Sequence, residues 1–396
     1  MLSAIRKSYN HTIYASYLGY ITQAIVNNFA PLLFLTFIGE FDLSMEKITL
    51  ITTINFAVQL AVDAIAAKVV DRIGYRPCIV AAHVFAAAGL AGLALLPAIM
   101  PPFAGILTAV VLYAIGGGII EVLISPIVEA CPTERKAAAM SLLHSFYCWG
   151  HVFLVVVSTG FFALFGISSW RVMACIWALV PLVNVAYFLL VPIAPIVSGE
   201  TRQLSIRELF RSKVFWVLMV MMVCAGASEQ AMSQWASAFA EKGLGVSKTM
   251  GDLAGPCAFA VLMGTARALY GKFEAKLPLR SFMAGSCVMC IGCYLLAALS
   301  GNPLLALLGC ALCGFSVGIF WPGTFSTAAA ALPGGGTAMF ALMALAGDLG
   351  CSGGPTVVGI SSGAMGGVLQ SGLLVALVFP VVMLVFTLLI RPEKQA

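Results

Sequence analysis

Long apolar runs follow one another along the chain, and short charged or Pro/Gly-rich stretches separate them. A membrane-spanning helix needs about 20 such residues, whereas the strands of a membrane barrel appear as alternating segments of about ten. Segments of that alternating kind are absent from the sequence. The pattern therefore predicts twelve membrane-spanning helices, near residues 12–38, 47–70, 78–100, 103–130, 137–165, 170–192, 214–239, 250–270, 281–300, 304–331, 337–362 and 370–390.

The composition agrees with this pattern. Hydrophobic residues make up 61% of the 396 residues and charged residues 9%, against about 25% charged residues in a typical soluble domain. Because a backbone in lipid satisfies its hydrogen bonds only in helices or closed barrels, we expect an all-α integral membrane protein. Arg6 and Lys7 precede an apolar run that is too long for a signal peptide and lacks a small-residue cleavage site, so we assign this run to the first span.

Basic residues set the predicted orientation. With a cytoplasmic N-terminus, the outer side carries only Lys47, Arg171, Lys242 and Lys248, which leaves 17 of the 21 lysines and arginines inside. Because basic residues accumulate on the cytoplasmic side, we predict two cytoplasmic termini and a multi-pass protein of the cell (plasma or inner) membrane. The net charge of +5 follows from this distribution and does not indicate a nucleic-acid surface.

The longest polar interruption divides the predicted spans six and six. We therefore expect an N-terminal half at residues 1–192, a cytoplasmic linker at 193–213 and a C-terminal half at 214–396. Within the linker, Ser205 is followed three residues later by Glu208, which predicts a capping box at the start of a short helix. The halves also share a weak repeat, since setting Ala67 opposite Gly271 places Arg280 opposite Arg76. Such a repeat predicts two pseudo-symmetric six-helix halves.

A charged hairpin between the second and third spans reads Ala67-x-x-x-Asp71-Arg72-x-Gly74-x-Arg76. It resembles the signature loop of the major facilitator superfamily, with Ala67 in place of a glycine and a tyrosine in place of a basic residue. The resemblance implies two six-helix halves that work by alternating access, closed by a charged cytoplasmic gate. An ordinary basic loop with a solvated acid is the alternative. The gate candidates are Asp63, Asp71, Arg72, Arg76, Glu129, Arg135 and Arg267.

Four further stretches look most like the fucose permease branch of that superfamily, whose members are sugar:proton symporters. These stretches lie at residues 116–121, 144–150, 229–235 and 347–355. The branch carries an acid on its first helix, where this chain has Asn27 and Asn28. The resemblance implies a sugar as the solute and protons as the coupling ion.

Acids within the spans are the proton-coupling candidates, because a charged group in the bilayer is costly unless it faces a cavity. Glu121, Glu229 and Asp348 lie deepest. Glu121 follows three glycines that let a backbone or a ligand approach closely, and a carboxyl group there can exchange a proton as a carrier must. The alternative for Glu121 is a permanent hydrogen bond to a neighbouring helix. Asp348 can bind a cation or a substrate hydroxyl, or pair with Arg267.

Polar and aromatic side chains within the spans are the substrate-binding candidates. Grouped amides hydrogen-bond polar solutes, and an indole stacks on an apolar ring face. The same groups can instead form ladders and packing contacts between helices. The candidates are Gln23, Asn27 and Asn28 on helix 1, His144, Tyr147 and Trp149 on helix 5, Gln230, Gln234 and Trp235 on helix 7, and Trp321 on helix 10. Asn55, Gln59 and Asp63 form a further polar strip on helix 2.

Together these features predict a secondary active transporter for a small polar solute, such as a sugar or a related metabolite, coupled to protons. A drug or metabolite exporter of the same superfamily is the alternative, because methionine and aromatic residues are frequent. An intramembrane enzyme would need a set such as His-Glu-x-x-His, which the sequence lacks. We read the twelve cysteines mainly as small packing residues and expect no disulfide, metal or cofactor. The expected partners are the solute, protons and membrane lipid, with no nucleic acid, and we expect a monomer.

Overall fold

The computed structural model describes residues 5–132, 136–194, 204–273, 277–332 and 335–390. Helices dominate these residues, and no strand occurs among them. Within these ranges, 11 helices are long and apolar enough to cross a membrane. Helix Gly336–Ala364 adds 29 residues at the position of the predicted eleventh span. The prediction of an all-helical membrane fold is confirmed.

The chain divides into two compact units, Met1–Gly199 and Glu200–Ala396. Pro31 lies where the first helix of the N-terminal unit is interrupted, since segment Tyr9–Asn28 passes through a 3-10 turn at Ala30–Leu33 into Phe34–Phe41. The long helices of this unit are α1 (Tyr9–Phe41), α2 (Met45–Ile73), α3 (Tyr75–Ile99), α4 (Pro102–Ala130), α5 (Lys136–Phe165) and α6 (Trp170–Leu190).

The C-terminal unit begins with a short linker helix, Ile206–Arg211. Its start has the predicted capping box, because the Glu208 N–H donates to Ser205 Oγ at 3.3 Å and the Ser205 N–H donates to Glu208 Oε2 at 2.7 Å. These two bonds satisfy backbone donors that a helix start leaves without a partner.

Four of the six long helices in the C-terminal unit are built from more than one segment. We label them α7 (Lys213–Ser233, Ala236–Ala238 and a π-helical turn Phe239–Gly243), α8 (Lys248–Asp252, a π-helical turn Leu253–Cys257 and Ala258–Phe273), α9 (Leu279–Leu299), α10 (Pro303–Val317 and Phe320–Ala331), α11 (Gly336–Ala364) and α12 (Leu369–Ala376 and Val378–Leu389).

An arginine at the start of the third helix of each unit caps the end of the sixth helix of the same unit. In the N-terminal unit, Arg76 Nη1 donates to the carbonyl oxygens of Phe188 at 2.7 Å and Leu189 at 3.2 Å. In the C-terminal unit, Arg280 Nε donates to the carbonyl oxygen of Thr387 at 3.2 Å. A helix C-terminus has unsatisfied carbonyls and partial negative charge, so a cation there is stabilising. The two arginines that the sequence repeat set opposite each other therefore occupy equivalent places.

Candidate functional site

Two of the three consecutive glycines at residues 116–118 let α1 and α2 approach α4 closely. A Cβ atom on Gly117 would lie 2.9 Å from Gln23 Oε1, and one on Gly118 would lie 3.1 Å from Gln59 Cα. A larger residue would have to displace these atoms, so the glycines allow α1 and α2 to lie directly against α4. Glu121, one helical turn after Gly117, is thereby brought beside the polar side chains of both helices.

Four buried amides of α1 and α2 form a hydrogen-bonded chain, which we call the amide array: Gln23, Asn27, Asn55 and Gln59. None of them is more than 6% exposed. Gln23 Nε2 donates to Gln59 Oε1 and Gln59 Nε2 donates to Asn27 Oδ1, both at 2.8 Å. Asn55 Nδ2 donates to Asn27 Oδ1 at 3.3 Å. The sequence singled out Gln23 and Asn27 as binding candidates but placed Asn55 and Gln59 only in a polar strip, although their spacing of four already put them on one helix face.

Glu121 is joined to one end of the amide array. Gln23 Nε2 donates to Glu121 Oε2 at 3.0 Å. The carboxylate of Asp63, one turn along α2 from Gln59, lies within 4.8 Å of that of Glu121. Both acids are partly exposed. This part of the N-terminal unit therefore combines groups that can exchange a proton with groups that can hydrogen-bond a polar solute, and it includes Asp63, which the sequence assigned to the gate.

Two side chains of α5 contact α1 residues. Tyr147 accepts a hydrogen bond from Asn28 Nδ2 at 3.3 Å, and the same amide nitrogen donates to the carbonyl oxygen of Ala24 at 2.9 Å. His144 is exposed, and the centroid of its ring lies 5.3 Å from that of Tyr20. Three of the predicted binding candidates, Asn28, Tyr147 and His144, thus lie along the same pair of helices.

Two tryptophans predicted to bind the solute have different surroundings. Trp149 is 50% exposed and shares an exposed face of α5 with Phe153, at 51%. An exposed apolar face of this kind is what a membrane helix presents to lipid. Trp235 is 1% exposed, and its Nε1 donates to the carbonyl oxygen of Pro355 at 3.0 Å. This bond joins α7 to α11, and the role of Trp235 in binding a solute stays a prediction.

The polar face of α7 forms a ladder that ends in an ion pair. Gln234 Nε2 donates to Gln230 Oε1 at 3.0 Å, and Gln230 Nε2 donates to Glu229 Oε1 at 3.3 Å. The other carboxylate oxygen of Glu229 lies 3.8 Å from Arg267 Nη2. Arg267 Nε also donates to the carbonyl oxygen of Gly318 at 3.2 Å, between the two segments of α10. Glu229 and Arg267, predicted as a coupling acid and a gate residue, are partners in this structure.

Gly347 makes room for the indole of Trp321. A Cβ atom on Gly347 would lie 2.3 Å from the Trp321 ring, so any larger residue would collide with it. Asp348, the next residue along α11, is 5% exposed, and Trp321 is partly exposed. Of the two glycines close to Asp348, Gly347 makes room for the Trp321 ring and Gly350 for the backbone of α7.

A cluster of charged residues joins the end of α7 to the start of α8, and sequence reasoning gave it no role. Lys248 Nζ lies 3.5 Å from Glu241 Oε1 and 3.2 Å from Asp252 Oδ2, and Ser237 Oγ donates to Asp252. Asp252 is fully buried. Burial raises the pKa of the Glu241 carboxyl, an effect that Lys248 opposes and Asp252 reinforces. The spacing of four between Lys248 and Asp252 was the available signal.

Several gate candidates lie outside the described side chains. Asp71 and Arg72 belong to α2 and Glu129 belongs to α4, but their side chains are not described, and Arg135 lies outside the described ranges altogether. Arg76 is described, and the contacts given above cap α6. The gate as a whole stays a prediction.

Comparison with known proteins gives one family and several similar structures. The sequence model of the Major Facilitator Superfamily matches residues 16–355. No curated protein matches the chain.

Three solved structures illustrate the likeness of fold. A bacterial homolog of the human lysosomal transporter Spinster, inward-facing and unoccupied, has a TM-score of 0.78 at 17% identity, covering 97% of each chain. A D-xylose-proton symporter has a TM-score of 0.77 at 14% identity, covering 98% of this chain and 99% of its own. The E. coli fucose:proton symporter has a TM-score of 0.65 at 15% identity, covering 97% of this chain and 99% of its own. At these identities the comparison concerns the fold alone.

Proposed function

Because the chain belongs to the Major Facilitator Superfamily, we propose that it is a secondary active transporter that carries a small polar solute together with protons. The chain is a multi-pass membrane transporter and not an enzyme. The solute class, the coupling ion and the alternating-access cycle are the proposal. A sugar or a related metabolite is the first solute to test, since two proteins of similar fold are named as sugar:proton symporters.

One observation carries this proposal: a carboxyl group that can take up a proton is hydrogen-bonded to an array of buried amides. The bond from Gln23 to Glu121, at 3.0 Å, links the two. Amides both donate and accept hydrogen bonds, as the hydroxyl groups of a sugar require. Coupling needs the proton and the solute to influence each other, and a direct bond between their groups supplies such an influence. Glu121 is therefore the proposed proton carrier.

Glu229 and Asp348 are the next candidates for the proton-carrying residue. Glu229 lies 3.8 Å from the guanidinium of Arg267, so a change in its charge would also disturb the contact of Arg267 with α10. Asp348 directly follows Gly347, against which the Trp321 ring packs. The hydrogen bond from Gln23 to Glu121 is the reason for placing Glu121 first.

The proposed location is the cell membrane, with both termini in the cytoplasm and the protein acting as a monomer. The distribution of basic residues supports this orientation, since 17 of 21 fall on the side assigned to the cytoplasm. Labelling of single introduced cysteines at exposed Lys242 and Arg207 with an impermeant thiol reagent tests it. Reaction from outside the cell is expected at position 242 and not at position 207.

Uptake into sealed liposomes tests the transport proposal. Purified protein is supplied with radiolabelled sugars, nucleosides and amino acids, beginning with D-xylose and L-fucose, with and without a proton gradient directed into the liposome. A gradient of one pH unit is worth about 1.4 kcal/mol per proton, so symport of one proton per solute accumulates the solute about tenfold. Wild-type protein is expected to accumulate one of these solutes.

The Glu121→Gln variant separates coupling from transport. It is expected to lose gradient-driven accumulation while it keeps counterflow exchange, which needs no proton movement. Glu46→Gln is the matched control, because Glu46 is an exposed acid in the first turn of α2. Equal accumulation by wild type and Glu121→Gln would move the carrier role to Glu229 or Asp348. Failure of every polar solute to move would favour the exporter.

A further inference from the structure

Two oxygen atoms of the amide array have no hydrogen-bond partner among the residues that the structure describes. They are Gln23 Oε1 and Asn55 Oδ1, each enclosed by protein. Buried polar atoms are nearly always hydrogen-bonded, and an exception calls for a physical explanation. These two oxygens lie at opposite ends of the array, one on the residue that binds Glu121 and the other on the residue farthest from it.

The hydrogen bonds of the array run in a definite direction. Gln23 uses its Nε2 twice, donating to Glu121 at 3.0 Å and to Gln59 at 2.8 Å. Gln59 and Asn55 both donate to Asn27, at 2.8 Å and 3.3 Å. Every one of these bonds is compatible with an ionised Glu121, because an ionised carboxylate only accepts hydrogen bonds. This is the arrangement that leaves the two amide oxygens without partners.

When Glu121 takes up a proton, the hydrogen bond between Glu121 and Gln23 has to change direction. A protonated carboxyl group donates through its O–H, so its neighbour must then offer an acceptor. Gln23 can do so by a half-turn of its amide, which exchanges Nε2 and Oε1 without moving the rest of the side chain. Gln23 Oε1 would then accept from Glu121 and would no longer lack a partner.

The other amides of the array rotate as well. Each must now donate a hydrogen bond where it accepted one before, or accept one where it donated. Gln59 turns to donate its Nε2 to Gln23, and Asn27 turns to donate its Nδ2 to Gln59 and to Asn55. Asn55 turns to accept through Oδ1, which also gains a partner. The heavy-atom separations of 2.8 to 3.3 Å serve both directions equally.

We propose that Gln23 is a positioning residue that transmits the protonation state of Glu121 to the amide array, reversing the direction of its hydrogen bonds as far as Asn55. The inference rests on the proposed function, which makes Glu121 the proton carrier. The proton itself stays on Glu121, and only amide groups rotate. Asn27 lies just before the 3-10 turn Ala30–Leu33, so the proton alters which donors and acceptors lie beside the interruption of α1.

Other titratable groups of the same half surround α4. On α2, Asp63 lies within 4.8 Å of Glu121. On α1, the hydroxyl of Tyr20 lies 3.3 Å from that of Ser125, one turn after Glu121. On α3, His83 lies 2.8 Å from an Asn184 nitrogen, and on α5, His144 lies against Tyr20. Because these groups also respond to pH, the test must identify the Glu121 signal by its loss in a variant.

Infrared difference spectroscopy of the full-length protein in lipid, acid minus neutral, is the test. Wild type is expected to gain a carboxylic acid C=O band that is missing in Glu121→Gln. A shift of a side-chain amide C=O band should accompany it, and this shift should be lost in Glu121→Gln and also in Gln23→Met. Methionine has nearly the length of glutamine but neither its donor nor its acceptor, so Gln23→Met should keep the Glu121 band and lose most of the amide shift.

Thr22→Val is the matched control, because Thr22 is a buried neighbour on α1 whose hydroxyl, within the described part of the chain, donates to the Leu18 carbonyl at 3.0 Å and to no member of the array. Both bands should remain in this variant. If Gln23→Met fails to fold, Gln59→Met serves instead, since it interrupts the array one step later. Gln59→Met should keep only the part of the amide shift that belongs to Gln23. An amide shift of wild-type size in Gln23→Met or Gln59→Met, or one that is absent while the Glu121 band is present, overturns the relay. A wild-type spectrum without a Glu121 band rejects Glu121 as carrier, which is a failure of the proposed function.

Discussion

Replacement of Lys248 by methionine probes the charged cluster between α7 and α8. Lys248 lies 3.5 Å from Glu241 and 3.2 Å from Asp252, and only 19% of its side chain is exposed. The variant leaves two carboxylates close together with no cation between them. Removing one partner of a buried ion pair costs about 3–5 kcal/mol, and the residual exposure here reduces the expected loss to about 2–4 kcal/mol.

A melting curve of the detergent-solubilised protein measures this loss. With about 2–4 °C per kcal/mol for a unit of this size, a loss of about 2–4 kcal/mol should lower the Tm of Lys248→Met by roughly 4–16 °C. Lys242→Met is the control, because Lys242 follows Glu241 in the π-helical turn of α7 and is exposed. It should melt within about 1 °C of wild type.

The destabilisation of Lys248→Met should also change with pH, in a direction that the pKa of Glu241 determines. Burial raises the pKa of Glu241 above its ordinary value of 4.5 in the folded protein. The folded state therefore holds this proton more tightly than the unfolded chain, and the resulting stability is present below pH 4.5 and is lost as pH rises through the folded pKa. Loss of Lys248 should raise that pKa further, so the destabilisation should shrink on acidification. A Tm equal to that of Lys242→Met, or a deficit that grows on acidification, would refute the reasoning.

Two other predictions concern the capping arginines of the two units and the neighbouring acids Asp63 and Glu121. Arg76→Ala and Arg280→Ala should each cost about 1–2 kcal/mol of stability, because each leaves helix-end carbonyls without a charged donor, whereas Arg207→Ala, at an exposed position, should melt like wild type. Unchanged melting of both cap variants would contradict the capping role. Asp63→Asn should change the pH dependence of solute uptake in liposomes, because Asp63 and Glu121 lie within 4.8 Å and influence each other's titration. An unaltered pH profile would return Asp63 to a role in the gate.

The sequence predicts the membrane spans well because the length of an apolar run is imposed by the bilayer, one helix at a time. Local signals also work where the cause is local, as with the capping box at Ser205 and Glu208. The interruption of α7 after Ser233 has no such signal, since no proline or glycine lies in the four residues that follow. That interruption depends on packing between helices.

The candidate site is harder to predict because it depends on the rotation of each helix about its own axis. Glu121 and Gln23 are 98 positions apart, and their bond follows from the close approach that Gly117 and Gly118 permit. Periodicity places Trp149 on a face but does not say whether that face meets lipid or protein. The sequence named Asp348 as a possible partner of Arg267, and the structure places Glu229 of α7 3.8 Å from Arg267.

The amide array is made of dipoles and carries no net charge. Ionic strength acts on net charges and has little effect on hydrogen bonds between neutral groups. A solute held by such groups would bind with the same affinity in dilute buffer and in concentrated salt, unlike a solute held by lysine or arginine. The selectivity of such a site would therefore not vary with the surrounding ions.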